Sequence, residues 1–208
     1  MAGSELRSVQ SRILDAAAEL FSNLGYHGVS TKEIARLAEV NESSIFRYYP
    51  NKRSLFLAAL DAEFARVRLR ADLLARLAAA PDAQTALAAL FRAIGDAVLQ
   101  HGVLVRLIHF SVLDFGEDLN EIFDRHVRGT MRVVSEYMAR WPELSQSPGY
   151  DTRIGIVSFI ATVVAMKDFY PVLTDRRETP QALENTVTFC TELWCNALAK
   201  HAAFSAKA

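Results

Sequence analysis

Cysteine, glycine and proline are all scarce in this chain: two, nine and six among 208 residues. Cys190 and Cys195 share one helical pattern, so they read as small buried hydrophobes rather than as a disulfide or a metal pair. His101, His109, His126 and His201 fall on different segments, without the Cys/His/Glu spacing that marks zinc or iron. Gly-x-Ser-x-Gly, P-loop and dinucleotide fingerprints are all missing, so nothing points to an enzyme and no cofactor is expected. The longest apolar run, Ile154 to Met166, falls short of the ~20 residues that a membrane span needs and is followed by Lys167-Asp168. The opening MAGSELRSVQ lacks the apolar core of a signal peptide. A soluble, cytoplasmic protein with no membrane partner is therefore expected. A charge imbalance is also missing. With 23 basic and 24 acidic residues the net charge is −1, which is not the balance of a bulk nucleic-acid coat.

Strands are missing too, since no stretch alternates with period two between turn signals. What is present is helix. Gly25, Gly28, Pro50, Pro81, Gly102, Gly116, Pro142, Pro148, Gly149, Pro171 and Pro180 punctuate it. A first helix runs from about Ser4 or Ser8 to Leu24, with a stripe of Val9, Ile13, Ala17, Leu20, Phe21 and Leu24. One long helix is expected from Asn51 to about Ala79, joining two parts of the chain as a mechanical link. Further helices are expected near Ala83–Gln100, Val103–Phe115, Leu119–Trp141, Asp151–Tyr170 and Pro180–His201. Hydrophobic residues make up 51% of the chain, enough for a substantial core.

The stretch from Ser30 to Leu55 is the most informative. Ser30 with Glu33 three residues on is a capping-box pattern. Ile34, Leu37 and Ala38 then give a short helix one buried face, and Ala35 lets another helix cross closely. The turn Glu39-Val40-Asn41 leads to a second short helix, with Asn41 as its side-chain cap. That helix, Glu42 to Tyr49, anchors on Ile45 and Tyr49. Its other faces carry Glu42, Ser43, Ser44, Phe46, Arg47 and Tyr48. Hydroxyls, a guanidinium and aromatic tips suit a groove better than a core. Pro50 ends it, and Asn51 opens the next helix with Lys52 and Arg53 in its first turn. Spacing alone leaves two readings open, ordinary helical packing and a helix-turn-helix. Residues 1–55 hold seven Lys/Arg against six Asp/Glu, a net of +1, so attraction to DNA has to come from a local patch.

These residues resemble the DNA-binding domain of the tetracycline-repressor (TetR) family of bacterial regulators. The resemblance runs from about Arg12 to Leu60, through ILDAAAELFSNLGYHGVS, TKEIARLAEV and SSIFRYYPNKRSL. The Gly25-Tyr26-x-Gly28 turn and the aromatic-Pro-x-Lys ending occur in register. Two departures stand out. Glu39 occupies a turn position where the family usually has Gly, which implies a turn made without a positive φ. Ser43 stands where Gly is frequent. The resemblance implies an all-α fold. A three-helix DNA-binding domain, residues 1–52, would precede a larger helical domain, residues 53–208, that binds an effector and dimerises. It implies phosphate contacts from Ser30, Thr31, Lys32 and Lys52. Glu42, Ser43, Ser44, Phe46, Arg47 and Tyr48 would line the major groove. Arg47 suits G O6 and N7, and Glu42 suits cytosine N4. A second role for Glu42, favouring the helix N-terminus, and backbone contact alone for Arg47 or Tyr48 stay open.

The resemblance further implies a small-molecule cavity. Phe91, Arg106, His109, Phe110, Leu113, Met131, Tyr137, Phe159, Thr162 and Met166 are its candidate lining, with plain core as the other reading of each. Ile154 to Met166 is apolar on nearly every face. Its small row Gly155, Ser158, Ala161 and Ala165, with Trp194 and Leu198 on the last helix, suggests a two-fold dimer that meets as a four-helix bundle. The function expected is an effector-responsive repressor that binds a near-palindromic double-stranded operator as a homodimer. Its effector is an unidentified small molecule. The alternative is a DNA-binding regulator without an effector.

Overall fold

A computed structural model describes residues 8–67, 69–141, 152–168 and 179–205. The described residues are mostly helical and contain no strand. The chain is all-α, an N-terminal helix-turn-helix domain followed by a helical C-terminal domain. The helices are α1 (Val9–Leu24), α2 (Thr31–Leu37), α3 (Glu42–Tyr48), α4 (Lys52–Arg66), α5 (Leu69–Ala79), α6 (Ala83–Gln100) and α7 (Gly102–Phe115). They are followed by α8 (Asn120–Phe123), α9 (Gly129–Met138), α10 (Thr152–Asp168) and α11 (Pro180–Ser205). The chain divides into two compact units, one of residues 1–67 with 101–126, the other of residues 68–100 with 127–208. No single helix among the described residues is long and apolar enough to cross a membrane.

In the first unit, Ile13, Ala17 and Phe21 of α1 meet Ile34, Ile45, Leu55, Phe56, Ala59 and Leu60 in a core closed to solvent. Leu24 and Leu37 fit the helical stripe but are exposed at 55% and 42%, so the sequence pattern drew the buried faces one residue too wide. Ser8 caps α1 by accepting from the Ser11 N–H at 3.1 Å. Gly25 ends it at φ 71°, ψ 173°, backbone that is nearly glycine-only. A Cβ at Gly28 would stand 2.3 Å from the Leu24 carbonyl oxygen, so the return of the chain towards α2 needs hydrogen there. Ser30 and Glu33 complete the capping box of α2, each side chain satisfying the other's backbone N–H. Asn51 caps α4, accepting from the Ser54 N–H at 2.8 Å.

Several expectations change. Asn41 makes no side-chain cap on α3; its carbonyl instead accepts from the Ser44 N–H at 2.8 Å, closing the first turn through the backbone. The turn before α3 does use the left-handed region, with Glu39 at φ 54°. Val40 N–H donating to the Ala35 carbonyl at 3.0 Å fixes that conformation, and Arg12 lies beside Glu39. The long helix expected from Asn51 to Ala79 ends at Arg66. Val67 takes φ −80°, ψ 113°, and its N–H turns back to the Phe64 carbonyl at 3.0 Å. No glycine or proline marks the stop. Packing sets it, because Arg66 pairs with Asp15 and Glu63 while Phe64 stacks on His126 at 5.3 Å. A β-branched residue such as Val67 is at ease in extended backbone.

The helix expected over Leu119–Trp141 is composite. A 3-10 turn (Gly116–Leu119) and α8 lead to a π-helical turn (Asp124–Arg128) before α9. In a regular α-helix neighbouring side chains diverge by about 100°. Here the consecutive residues Arg125 and His126 both reach Asp61 Oδ1, each at 2.8 Å, which the wider π turn permits. α7 packs on α1 and α4 through Leu104, Leu107 and Phe115. In the second unit, Leu73 and Leu77 of α5, Leu87, Leu90 and Phe91 of α6, Phe159 and Val163 of α10, and Val187 and Cys190 of α11 are buried. Burial raises the pKa of the Cys190 thiol, which keeps it protonated and inert.

The left-handed Glu39 yields a stability prediction. An L-residue in this region costs about 1–2 kcal/mol, and glycine loses about 0.5–1 kcal/mol through extra chain entropy. Glu39→Gly is therefore expected to stabilise the protein by about 0.5–1 kcal/mol, read as a higher urea midpoint at unchanged slope. A lower midpoint would show that the Arg12 contact outweighs the backbone strain.

Candidate nucleic-acid interface

α3 is seven residues long, far below the length at which a helix holds itself together in water. Its stability comes from Ile45, wholly buried, and from Tyr49 just past its end, 6% exposed, whose hydroxyl accepts from Gln10 Nε2 at 3.3 Å. Burying a side chain of the size of Ile45 contributes about 1.5–3 kcal/mol. With one face so anchored, the others face outward. Glu42, Ser43, Phe46, Arg47 and Tyr48 are exposed and Ser44 is half-buried. Phe46 at 48% and Tyr48 at 40% are unusually open for aromatic residues.

Four contacts orient this surface. The Thr31 hydroxyl donates to Glu42 Oε1 at 2.6 Å, joining the first turns of α2 and α3. Arg47 Nη2 donates to the Tyr48 hydroxyl at 3.2 Å, and its guanidinium carbon lies 5.0 Å from the ring centroid of Tyr48. The Lys52 ammonium stands 4.4 Å from the ring centroid of Tyr26. Burial lowers its pKa, and the charge of Glu33 works the other way. The Ser30 hydroxyl donates to Glu33 Oε2 at 2.7 Å. That bond, the Ser30 N–H and the nearby Arg36 and Lys52 together lower the pKa of the Glu33 carboxyl. Lys32 is exposed beside them on α2.

Tyr26 was not foreseen as a site residue. It lies far from Lys52 in sequence and is held against it by an aromatic cluster, Tyr26 with Phe56 at 5.7 Å and Phe115 at 4.9 Å. Arg53, next to Lys52, pairs with Asp118 and lies 5.7 Å from the ring centroid of Phe115, so its charge is spent within the unit.

The candidate effector residues fall in both units. Arg106, His109 and Phe110 belong to the first. Arg106 Nε donates to the Ser22 carbonyl at 3.0 Å. His109 is exposed and edge-on to the half-buried Phe110, whose ring also covers Gly25. Phe91 and Phe159, in the second unit, are brought together, buried and stacked with ring centroids 4.5 Å apart. Met131 and Tyr137 are half-buried on α9, with Arg140 lying over the Tyr137 ring at 4.2 Å. Thr162 is exposed and donates to the Ser158 carbonyl at 2.9 Å. The side chains of Leu113 and Met166 lie outside the described residues. Among the described residues no group of three or more His, Cys, Asp or Glu is placed to hold a metal ion.

Of the candidate dimer residues, Gly155 is buried within the chain and Trp194 is half-buried, while Ser158, Ala161 and Ala165 are exposed. The side chain of Leu198 lies outside the described residues. Around the exposed small residues stand Ile154, Val157, Phe189 and Leu193, each 54–62% open to solvent.

Residues 13–59, from within α1 through the first half of α4, match the family model described as bacterial regulatory proteins, tetR family. An uncharacterized helix-turn-helix regulator of Bacillus subtilis, YvkB, is 47% identical over 55 residues, 26% of this chain and 29% of that protein. The transcriptional repressor KstR of Mycobacterium tuberculosis is 38% identical over 80 residues, 38% of this chain and 36% of that protein. The matches thus span about a third of the length of these relatives. The crystal structure of AibR in complex with isovaleryl coenzyme A and operator DNA shares the fold at TM-score 0.66 and 22% identity, covering 88% of this chain and 97% of that one. In residues 13–59 this chain thus carries the helix-turn-helix segment of the tetR family of bacterial regulatory proteins.

Proposed function

We propose that this protein is a sequence-specific DNA-binding transcriptional repressor that works as a homodimer and answers to a small-molecule effector. DNA binding is assigned to residues 1–52, and effector binding and dimerisation to residues 53–208. The observation that carries the reading is α3, a short helix anchored by Ile45 and Tyr49 that turns Phe46, Arg47 and Tyr48 to solvent. Such a face, on a domain that matches the tetR family, fits a major groove. Ser43, Ser44, Phe46, Arg47 and Tyr48 line the groove with Glu42. Lys52, Lys32 and the Thr31 backbone N–H at the start of α2 approach the phosphates on either side, beside Ser30, whose own N–H is held by Glu33.

The open apolar residues of α10 and α11 support dimerisation. A monomer would leave Ile154, Val157, Phe189 and Leu193 in water. A two-fold dimer covers them, and a near-palindromic operator offers its two half-sites to two α3 helices one helical turn of DNA apart, about 34–36 Å. AibR, which shares the fold, was crystallised in complex with isovaleryl coenzyme A and operator DNA, which supports an effector here as well. For the effector to release DNA, it must bind one arrangement of the dimer more tightly than the other. As a DNA-binding regulator the protein is expected to act in the cytoplasm, with no catalytic role.

Selection of bound operator from random DNA by the full chain tests the reading as a whole, and three variants test its parts. Lys52→Ala is expected to weaken binding to all sequences alike and to lower the slope of log K against log salt by about 1 per half-site. An unchanged slope would take Lys52 off the phosphates. Arg47→Ala is expected to flatten base preference at one or two operator positions, at about 1–3 kcal/mol for a bidentate guanine contact. Weaker binding with unaltered preference would leave Arg47 on the backbone. Ala161→Glu places an unpaired charge in the proposed interface, at a cost of about 3–5 kcal/mol. Analytical ultracentrifugation is expected to show a dimer for the wild type and a folded monomer for the variant. A wild-type monomer at micromolar concentration would end the dimer account.

A further inference from the structure

Thr31 and Glu42 are joined across the turn of the helix-turn-helix by the 2.6 Å hydrogen bond between the Thr31 hydroxyl and Glu42 Oε1. Glu42 is the first residue of α3, exposed on the proposed DNA-facing side. A carboxylate on such a face is a liability, because DNA phosphates repel it and water must be stripped from it. It also cannot donate. Of the groups that base edges offer in the major groove, a carboxylate can accept only from the amino groups, N4 of cytosine or N6 of adenine, and it clashes electrostatically with O6 and N7 of guanine and O4 of thymine. Adenine is the poorer partner, since its N7 acceptor stands next to the amino group and faces the same carboxylate.

We infer that Glu42 reads cytosine in each operator half-site and that Thr31 is a positioning residue that holds it there. This rests on the proposed DNA-binding reading and goes beyond it by naming the base and the pair that reads it. The Thr31 hydroxyl has one proton, and it is given to Glu42. That hydroxyl therefore does not donate to a phosphate, in contrast with the role the family resemblance implied for Thr31. With Oε1 held, the carboxylate keeps one fixed orientation, and Oε2 is left to accept from the base. Thr31 is half-buried at the start of α2, next to the capped Ser30, so the pivot belongs to a well-determined backbone. Immobilising a rotamer-rich side chain at an interface is costly, and a contact made before binding removes that cost.

The test is selection of operators by the full-length wild type and three near-isosteric variants, with binding measured at each position. The wild type is expected to select cytosine at one position per half-site. Thr31→Val, which keeps the backbone N–H, is expected to weaken discrimination at that position by about 3- to 10-fold and to spare the preference at the other positions. Thr31→Ser keeps the hydroxyl and is expected to restore it. Glu42→Gln, with a donor beside its acceptor, is expected to move the preference from cytosine to adenine. A uniform loss in Thr31→Val across all sequences would place Thr31 on a phosphate and overturn the inference. An unchanged motif in Glu42→Gln would overturn it as well, with the DNA-binding reading left standing. A wild type that selects no sequence at all would remove both.

Discussion

A helix of seven residues does not persist on its own, so everything proposed for α3 depends on how it is held. Ile45 is its only fully buried side chain. The remaining restraints lie at its ends, the left-handed turn at Glu39 before it and Tyr49 with Pro50 after it. This economy has a consequence. Because so little of α3 is needed for packing, nearly all of it is available to a partner. The burial of α1, α2 and α4 around Ile45 makes the rigid frame on which that surface stands.

The same frame explains why polar groups at its edge are already engaged. Thr31 holds Glu42, Ser30 holds Glu33, Tyr48 holds Arg47 and Tyr26 carries Lys52. Each contact lies at the surface, where exchange with water leaves it little net effect on stability. Their effect is on orientation, since a side chain fixed in advance loses less entropy when a ligand arrives. Lys52 shows the compromise. Its ammonium sits over an aromatic face and is partly desolvated, which brings a charge to the start of α4 without extending it into water.

The helices and the helix-turn-helix were legible because their signals are local. Ser30 with Glu33, Asn51 at the start of α4, and Gly25 at the end of α1 are short-range matches of residue type and backbone shape, and the structure has all three. The stop at Val67 was not legible, because it is set by residues remote in sequence: His126 and Phe123 against Phe64, and Asp15 against Arg66. The π turn at Asp124–Arg128 failed for a related reason, since it serves Asp61, on another helix. Glu39 is the instructive case. Its side chain argued against a positive φ, and the surrounding backbone overruled it, with Val40 N–H bonding the Ala35 carbonyl. Of the candidate interface, the residue types on α3 could be read from sequence, but the pairing of Thr31 with Glu42 and of Tyr26 with Lys52 needed the fold.

Charge is the last constraint to satisfy. A domain with a net charge of only +1 over residues 1–55 gains little attraction to DNA from its total, so the arrangement of charge must supply what the sum does not. The acids are handled locally. Glu33 is tied to Ser30 and lies near Arg36 and Lys52, Glu39 lies beside Arg12, and Glu42 accepts from Thr31. At the proposed phosphate-facing edge, Lys32 and Lys52 then act over a few ångströms, inside the roughly 8–10 Å over which charges act in physiological salt. A chain so balanced is poorly suited to coating DNA at random. Its affinity has to come from short-range fit, in which a carboxylate such as Glu42 rejects most base edges as firmly as Arg47 accepts one, and that rejection is a source of sequence specificity that added positive charge would erode.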